Sequence, residues 1–183
     1  MEKLLSEDKF NAVADSDKMF IITFDSEIEK FGYSCGGIIG KGGKWWQDIS
    51  IKWAKVGIKT ERLIARIYQR DNKLILRLYF NKIDKHRDYI ENAPTHIKEI
   101  FTGSHGNCGF DKCPCKTNKL NCKFRKSYTL DGKAIHKCNG ITFEVLHPDI
   151  SKLPDYIDLL SKFYARKNEP SQNKHYRKLD KTP

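Results

Sequence analysis

The chain has 183 residues, 39% of them hydrophobic, with 10 Phe, 8 Tyr and 3 Trp; that is enough for one packed domain with a small appended module and too apolar for a disordered chain. No apolar run approaches the ~20 residues of a membrane span, and residues 1–10 are charged where a signal peptide is apolar, so the expectation is a cytoplasmic protein without a membrane partner. The net charge of +11 is uneven: residues 1–60 balance nine basic side chains against nine acidic ones, whereas residues 101–140 hold eight basic and two acidic. Such a surplus suits an anionic partner: nucleic acid, an acidic protein surface, or a phosphorylated or carboxylated small molecule.

In chain order, residues 2–14 read as a short helix carrying Leu4, Leu5, Phe10 and Val13, followed by a polar break at 15–18. Ile21, Phe24, Ile28 and Phe31 recur at helical spacing with Asp25, Glu27 and Glu29 between them, which predicts an acidic amphipathic helix over 19–31 that stops at Gly32. The glycine-rich stretch 36–43 predicts a loop or a loosely paired hairpin. Alternation over 45–56 places Trp45, Ile49, Ile51 and Trp53 on one face of a strand.

The clearest element follows. Residues 62–69 and 74–81 alternate strictly about Asp71-Asn72, two residues tolerant of positive φ, and predict an antiparallel hairpin. Two short helices are expected over 84–91 and 94–101. Strands over 126–130 and 133–137 flank Asp131-Gly132, a hairpin turn signal, and a further strand over 141–146 is expected to enlarge that sheet. Pro154 opens a last helix that turns Ile157, Leu160, Phe163 and Tyr164 inward, and residues 166–183 are expected to be a disordered basic tail. The fold class is therefore α+β: an antiparallel sheet with flanking helices and a Cys-rich zinc-binding loop or hairpin. Its expected organisation is an N-terminal part over 1–103, a metal-binding hairpin module with the last helix over 104–165, and the tail.

Five of the six cysteines are clustered, as Cys108, Cys113, Cys115, Cys122 and Cys138. In a reducing compartment such a cluster points to metal ligation rather than to disulfides. Two groups of cysteines separated by a hairpin assemble a tetrahedral thiolate site, so all five are candidate ligands and structural Zn²⁺ is the expected cofactor. Zinc needs four of them; Cys115, so close to Cys113, is the first to be spared. An iron–sulfur cluster or reduced, unmetallated thiols are the alternatives. His105, His136 and His147 could substitute for a thiol. Acidic residues are nearly absent from this stretch, which favours a closed structural site over a catalytic one with a carboxylate base. Cys35 stands apart, with no partner to mark it as a nucleophile, and no catalytic residue is assigned.

Pairing the central hairpin about Asp71-Asn72 puts Ile67 opposite Leu76 and Ala65 opposite Leu78 on a core face. The same register sets Arg66 opposite Arg77 on the other face, beside Tyr68 and Tyr79. Like charges across a ladder cost up to ~1 kcal/mol, so something negative is expected there. A bound anion held by Arg66, Tyr68, Arg77 and Tyr79 is one reading, and the acidic helix folding over this face is the other.

Several blocks, among them Ala65-Arg66-Ile67-Tyr68, Cys122-Lys123-Phe124-Arg125-Lys126, Lys137-Cys138-Asn139-Gly140 and Leu153-Pro154-Asp155-Tyr156, resemble those of a family of bacterial proteins with no established activity. The resemblance implies a compact fold and no particular chemistry. The family pattern has Cys-x2-Cys as its first pair, where this chain has Cys108-x4-Cys113 and the additional Cys115. The leading expectation is a zinc-stabilised binding or interaction module, not an enzyme, for an anionic ligand or acidic partner. Its rivals are a nucleic-acid binder using the basic residues of 112–137 and the tail, and a metalloenzyme.

Overall fold

The structure, a computed structural model, describes residues 1–39, 50–55, 62–108, 122, 125–138 and 142–164. Helix α1 (Glu2–Leu5) is followed by a 3-10 turn over Asp8–Phe10, so the expected first helix is broken in two. Helix α2 (Asp15–Glu29) begins four residues before the expected start. The polar residues that looked like a break form its first turn, where Asp15 and Asp17 meet the positive end of the helix dipole. Ile21, Phe24 and Ile28 recur three or four apart and, with Phe20, are buried, and the chain leaves at Gly32 with φ 73°.

Gly36 and Gly37, expected in a loop or a loosely paired hairpin, lie inside strand β1 (Ser34–Ile39). Its pairing with β2 (Ser50–Lys55) slips between Cys35 and Ile38, an irregularity that a glycine pair on an edge strand accommodates. Residues 40–43, Trp45, Trp46 and Ile49 lie outside the described residues. Strands β3 (Arg62–Arg70) and β4 (Lys73–Tyr79) form the expected hairpin in the expected register, from Arg70↔Lys73 to Ala65↔Leu78. Asp71 and Asn72 take φ 51° and 58°, the paired left-handed conformation that matches the twist of a two-residue turn.

A 3-10 turn over Ile83–His86, helix α3 (Arg87–Asn92) and helix α4 (Thr95–Thr102) follow. Strands β5 (Arg125–Leu130) and β6 (Lys133–Cys138) pair about Asp131 and Gly132, φ 47° and 71°, as a separate two-stranded sheet. Strand β7 (Thr142–Leu146) does not extend this hairpin. It pairs antiparallel with β4 and completes a five-stranded sheet in the order β1-β2-β3-β4-β7. Alternation explains the preference, because Phe143 then enters the core while Glu144 falls opposite Arg77. A last 3-10 turn (Ile150–Lys152) leads into helix α5 (Leu153–Tyr164).

One face of the sheet carries the core. Trp53, Ala65, Leu78 and Phe143 stand side by side on four neighbouring strands, all essentially buried. Phe24 of α2 meets Trp53 edge-on, with ring centroids 5.0 Å apart. Phe80 packs on Phe163 of α5 at 4.3 Å, and Phe101 of α4 on Phe143 at 4.9 Å. Each such side chain contributes ~1.5–3 kcal/mol by leaving water. Among the described residues no helix is long and apolar enough to cross a membrane.

Candidate functional site

On the opposite face, alternation puts Lys52, Arg66, Arg77 and Glu144 in one row across β2, β3, β4 and β7. The row thus runs through three cations to a carboxylate on β7 whose side chain is 1% exposed and which Arg77 touches directly. Glu144 accepts Arg77 Nε at 2.9 Å and Nη2 more closely, Arg70 Nη2 at 3.0 and 3.1 Å, and the Tyr68 hydroxyl, while His105 Nδ1 lies 3.0 Å from its Oε2. Burial alone would raise its pKa, but the bonds from His105, Tyr68 and Arg77 outweigh burial and hold it well below the carboxylate range. The Tyr68 hydroxyl is pushed up by burial and by donating to Glu144. Arg70 and Arg77 also lie 5.5 and 5.4 Å from the centre of the Tyr68 ring, a cation–π arrangement.

Glu144 therefore supplies negative charge to Arg77, one member of the facing arginine pair, and to Arg70. The acidic helix does not. Asp25 of α2 accepts the Trp53 indole N–H at 2.7 Å on the core side of the sheet, and Glu27 accepts Lys30 at 2.6 Å. Of the four residues expected on the ligand face, Tyr68 and Arg77 meet at Glu144. Arg66 lies between Lys52 and Arg77 in the row, and the Tyr79 carbonyl accepts the Tyr164 hydroxyl.

The segment after α4 brings His105 to this cluster. A Cβ at Gly103 would lie 2.7 Å from the Glu99 carbonyl oxygen, so only glycine lets the chain close off α4 here. Lys137 of β6, 1% exposed, then fixes the turn: its ammonium donates to the Gly103 carbonyl, to His105 O at 2.8 Å and to Asn107 Oδ1 at 2.6 Å. Three acceptors match its three N–H groups, and a cation beside the last carbonyls of α4 also complements the helix dipole. Burial lowers its pKa to about 8.

The same turn joins the hairpin to the cysteines. Cys108 N–H donates to His136 O at 2.8 Å and Cys138 N–H to Gly106 O at 2.7 Å, which adds the segment to the edge of β6. The Cys138 thiol is consequently in hydrogen-bonding contact with Cys108; its pKa is raised by burial, by that bond and by the nearby charge of Cys122, and lowered by Arg125. Residues 14 and 30 positions apart in sequence from Cys108 thus come to one end of the β5–β6 hairpin. Among the described residues no group of three or more His, Cys, Asp or Glu side chains is placed to hold a metal ion. Cys113 and Cys115 lie outside the described residues. His136 Nδ1 is engaged with the Ser127 hydroxyl at 2.7 Å, and His105 with Glu144, so these two histidines have partners of their own.

Beside Glu144 opens a cavity of about 490 Å³ between α4, the end of β7 and the start of α5. Arg70, His96, His105, Glu144, Lys152 and Tyr156 line it. His96 Nε2 lies 2.9 Å from Asp155, and the Tyr156 hydroxyl is pushed up to about 12 by burial and by Asp149. Glu144, Lys137 and Arg70 were not anticipated as a site. The one available signal was Glu144, a lone carboxylate inside an apolar strand in a basic stretch. Comparison with known protein families, with curated proteins and with solved structures finds no match to this chain.

Proposed function

We propose that this chain is a zinc-stabilised binding module for an anionic ligand. One observation supports the metal: two backbone hydrogen bonds splice the 104–108 turn onto β6, which sets the Cys138 thiol against Cys108 and within the electrostatic influence of Cys122, residues distant in sequence. Burial and the neighbouring Cys108 and Cys122 raise the pKa of the half-buried Cys138 thiol, and a cation bound among these thiols would offset that cost. The sequence offers Cys113 or Cys115 as the fourth ligand. A four-thiolate shell leaves no open position, so the ion would hold the turn that carries His105 rather than perform chemistry.

The test is thermal unfolding of reduced protein, purified without added metal, in the presence and absence of a chelator. The reading expects about one zinc per chain and a chelator-dependent fall in melting temperature. It also expects amide protection lost over 104–108 and 125–138 before the five-stranded sheet. A metal-free preparation whose melt is indifferent to chelator would refute it.

A further inference from the structure

We infer that the cavity beside Glu144 binds a small ligand through a terminal oxyanion, carboxylate or phosphate, with Arg70 as its principal contact. Arg70 is unlike the other cations of the cluster. All its hydrogen bonds to described residues leave through Nη2, to Glu144 and to the Tyr68 hydroxyl at 2.7 Å. The N–H groups of Nε and Nη1 are not engaged by any of them, and the side chain is 41% exposed in the cavity wall. A guanidinium pinned at one corner by a buried carboxylate and over an aromatic ring has little freedom left to lose, which is what makes a fork-shaped oxyanion receptor efficient.

The charges of the wall support this. Glu144 is already matched by Arg77, so Arg70 is the surplus cation of the cluster. Lys152 lines the same cavity and makes no ion pair with described residues. Of the remaining carboxylates of the lining, Asp149 accepts the Ser151 N–H at 2.8 Å and Glu99 is exposed. Those two carboxylates argue against an extended polyanion such as nucleic acid, which would be repelled along the cavity, and for one compact charged end. The volume of about 490 Å³ falls in the range of small-molecule sites, and Ile100, Val145 and Leu146 supply apolar wall for the rest of the ligand.

The inference rests on the reading of the chain as a binding module, but not on its metal. The experiment titrates the intact protein at low salt with benzoate, phenyl phosphate and inorganic phosphate, followed by calorimetry and by amide shifts of residues 144–147. One-to-one saturation by benzoate assigns a carboxylate ligand; saturation by phenyl phosphate, with or without inorganic phosphate, assigns a phosphate. Arg70→Gln should weaken the binding roughly 10- to 100-fold and Lys152→Gln roughly 3-fold. Leu146→Glu, at a position 60% exposed at the cavity mouth, leaves the Glu144 cluster intact and should weaken it about 10-fold by repulsion. The inference is overturned if all three probes bind more weakly than roughly 10 mM, or if Leu146→Glu and Lys152→Gln bind as the parent does. A metal-free protein that binds a probe would remove only the zinc, and a zinc-loaded protein blind to all three would remove only this site.

Discussion

Replacing Glu144 by Gln removes one negative charge and leaves four donors with an amide in its place. Arg70, 41% exposed, can turn to water and recover most of its loss. Arg77, 15% exposed and bound through both Nε and Nη2, cannot, and the Tyr68 hydroxyl is buried beside it. The amide NH2 group would face donors rather than acceptors. Removing one partner of a buried pair in this way costs about 3–5 kcal/mol, because the other charge stays buried and unmatched. In a domain of this size, at ~2–4 °C per kcal/mol, the melting temperature should fall by roughly 10 °C. Urea unfolding followed by circular dichroism measures the cost. The companion variant Arg77→Met should be far less damaging in the Glu144→Gln background than in the parent, a non-additivity above ~1 kcal/mol. A loss below ~1 kcal/mol, with the two substitutions simply adding, is the behaviour of an exposed ion pair and would refute the cluster as a buried support.

The pH dependence has a definite sign. The folded pKa of Glu144 is depressed, so its stabilisation is complete above the ordinary carboxyl value of ~4.3 and is lost as pH falls through the folded value. The stability gap between parent and Glu144→Gln should therefore narrow below about pH 4; a gap that stays constant down to acid unfolding contradicts the depressed pKa. Lys137→Met strands three oxygen acceptors and should cost about 2–4 kcal/mol, with faster amide exchange at Cys108 and Cys138, whose N–H bonds hold the turn to β6. Parent-like exchange at both amides would show that the ammonium does not hold the turn. Trp53→Phe keeps an aromatic ring but removes the indole N–H with its 2.7 Å bond to buried Asp25 and leaves a small cavity, for an expected loss of at least ~1–3 kcal/mol; a neutral result in chemical denaturation would contradict this.

Both hairpins were legible because turn chemistry and alternation are local: Asp71-Asn72 and Asp131-Gly132 each fix a register, and the register fixes which residues share a face. The start of α2 was misread because Asp15, Ser16 and Asp17 look like a break until their position in a first turn gives them a favourable dipole. The partner of β7 was not legible at all. Alternation shows that Phe143 and Glu144 face opposite ways, but not that β4, more than 60 residues earlier, receives them. The site inherits that blindness: like charges at Arg66 and Arg77 announced a missing anion, and its identity depended on the non-local pairing. Lys137 was hidden for a related reason, since a lysine in a short strand reads as solvated until the carbonyls of a distant helix end close on it.

The proposal that the thiols of Cys108, Cys122 and Cys138, with one more from Cys113 or Cys115, share one zinc ion is tested most directly by native mass spectrometry of the reduced protein. The expected native mass is that of a chain carrying a single zinc, which is lost on denaturation and is absent or sharply depleted in Cys138→Ser. A native mass equal to that of the bare chain, or zinc retained in full by Cys138→Ser and Cys108→Ser, would contradict it.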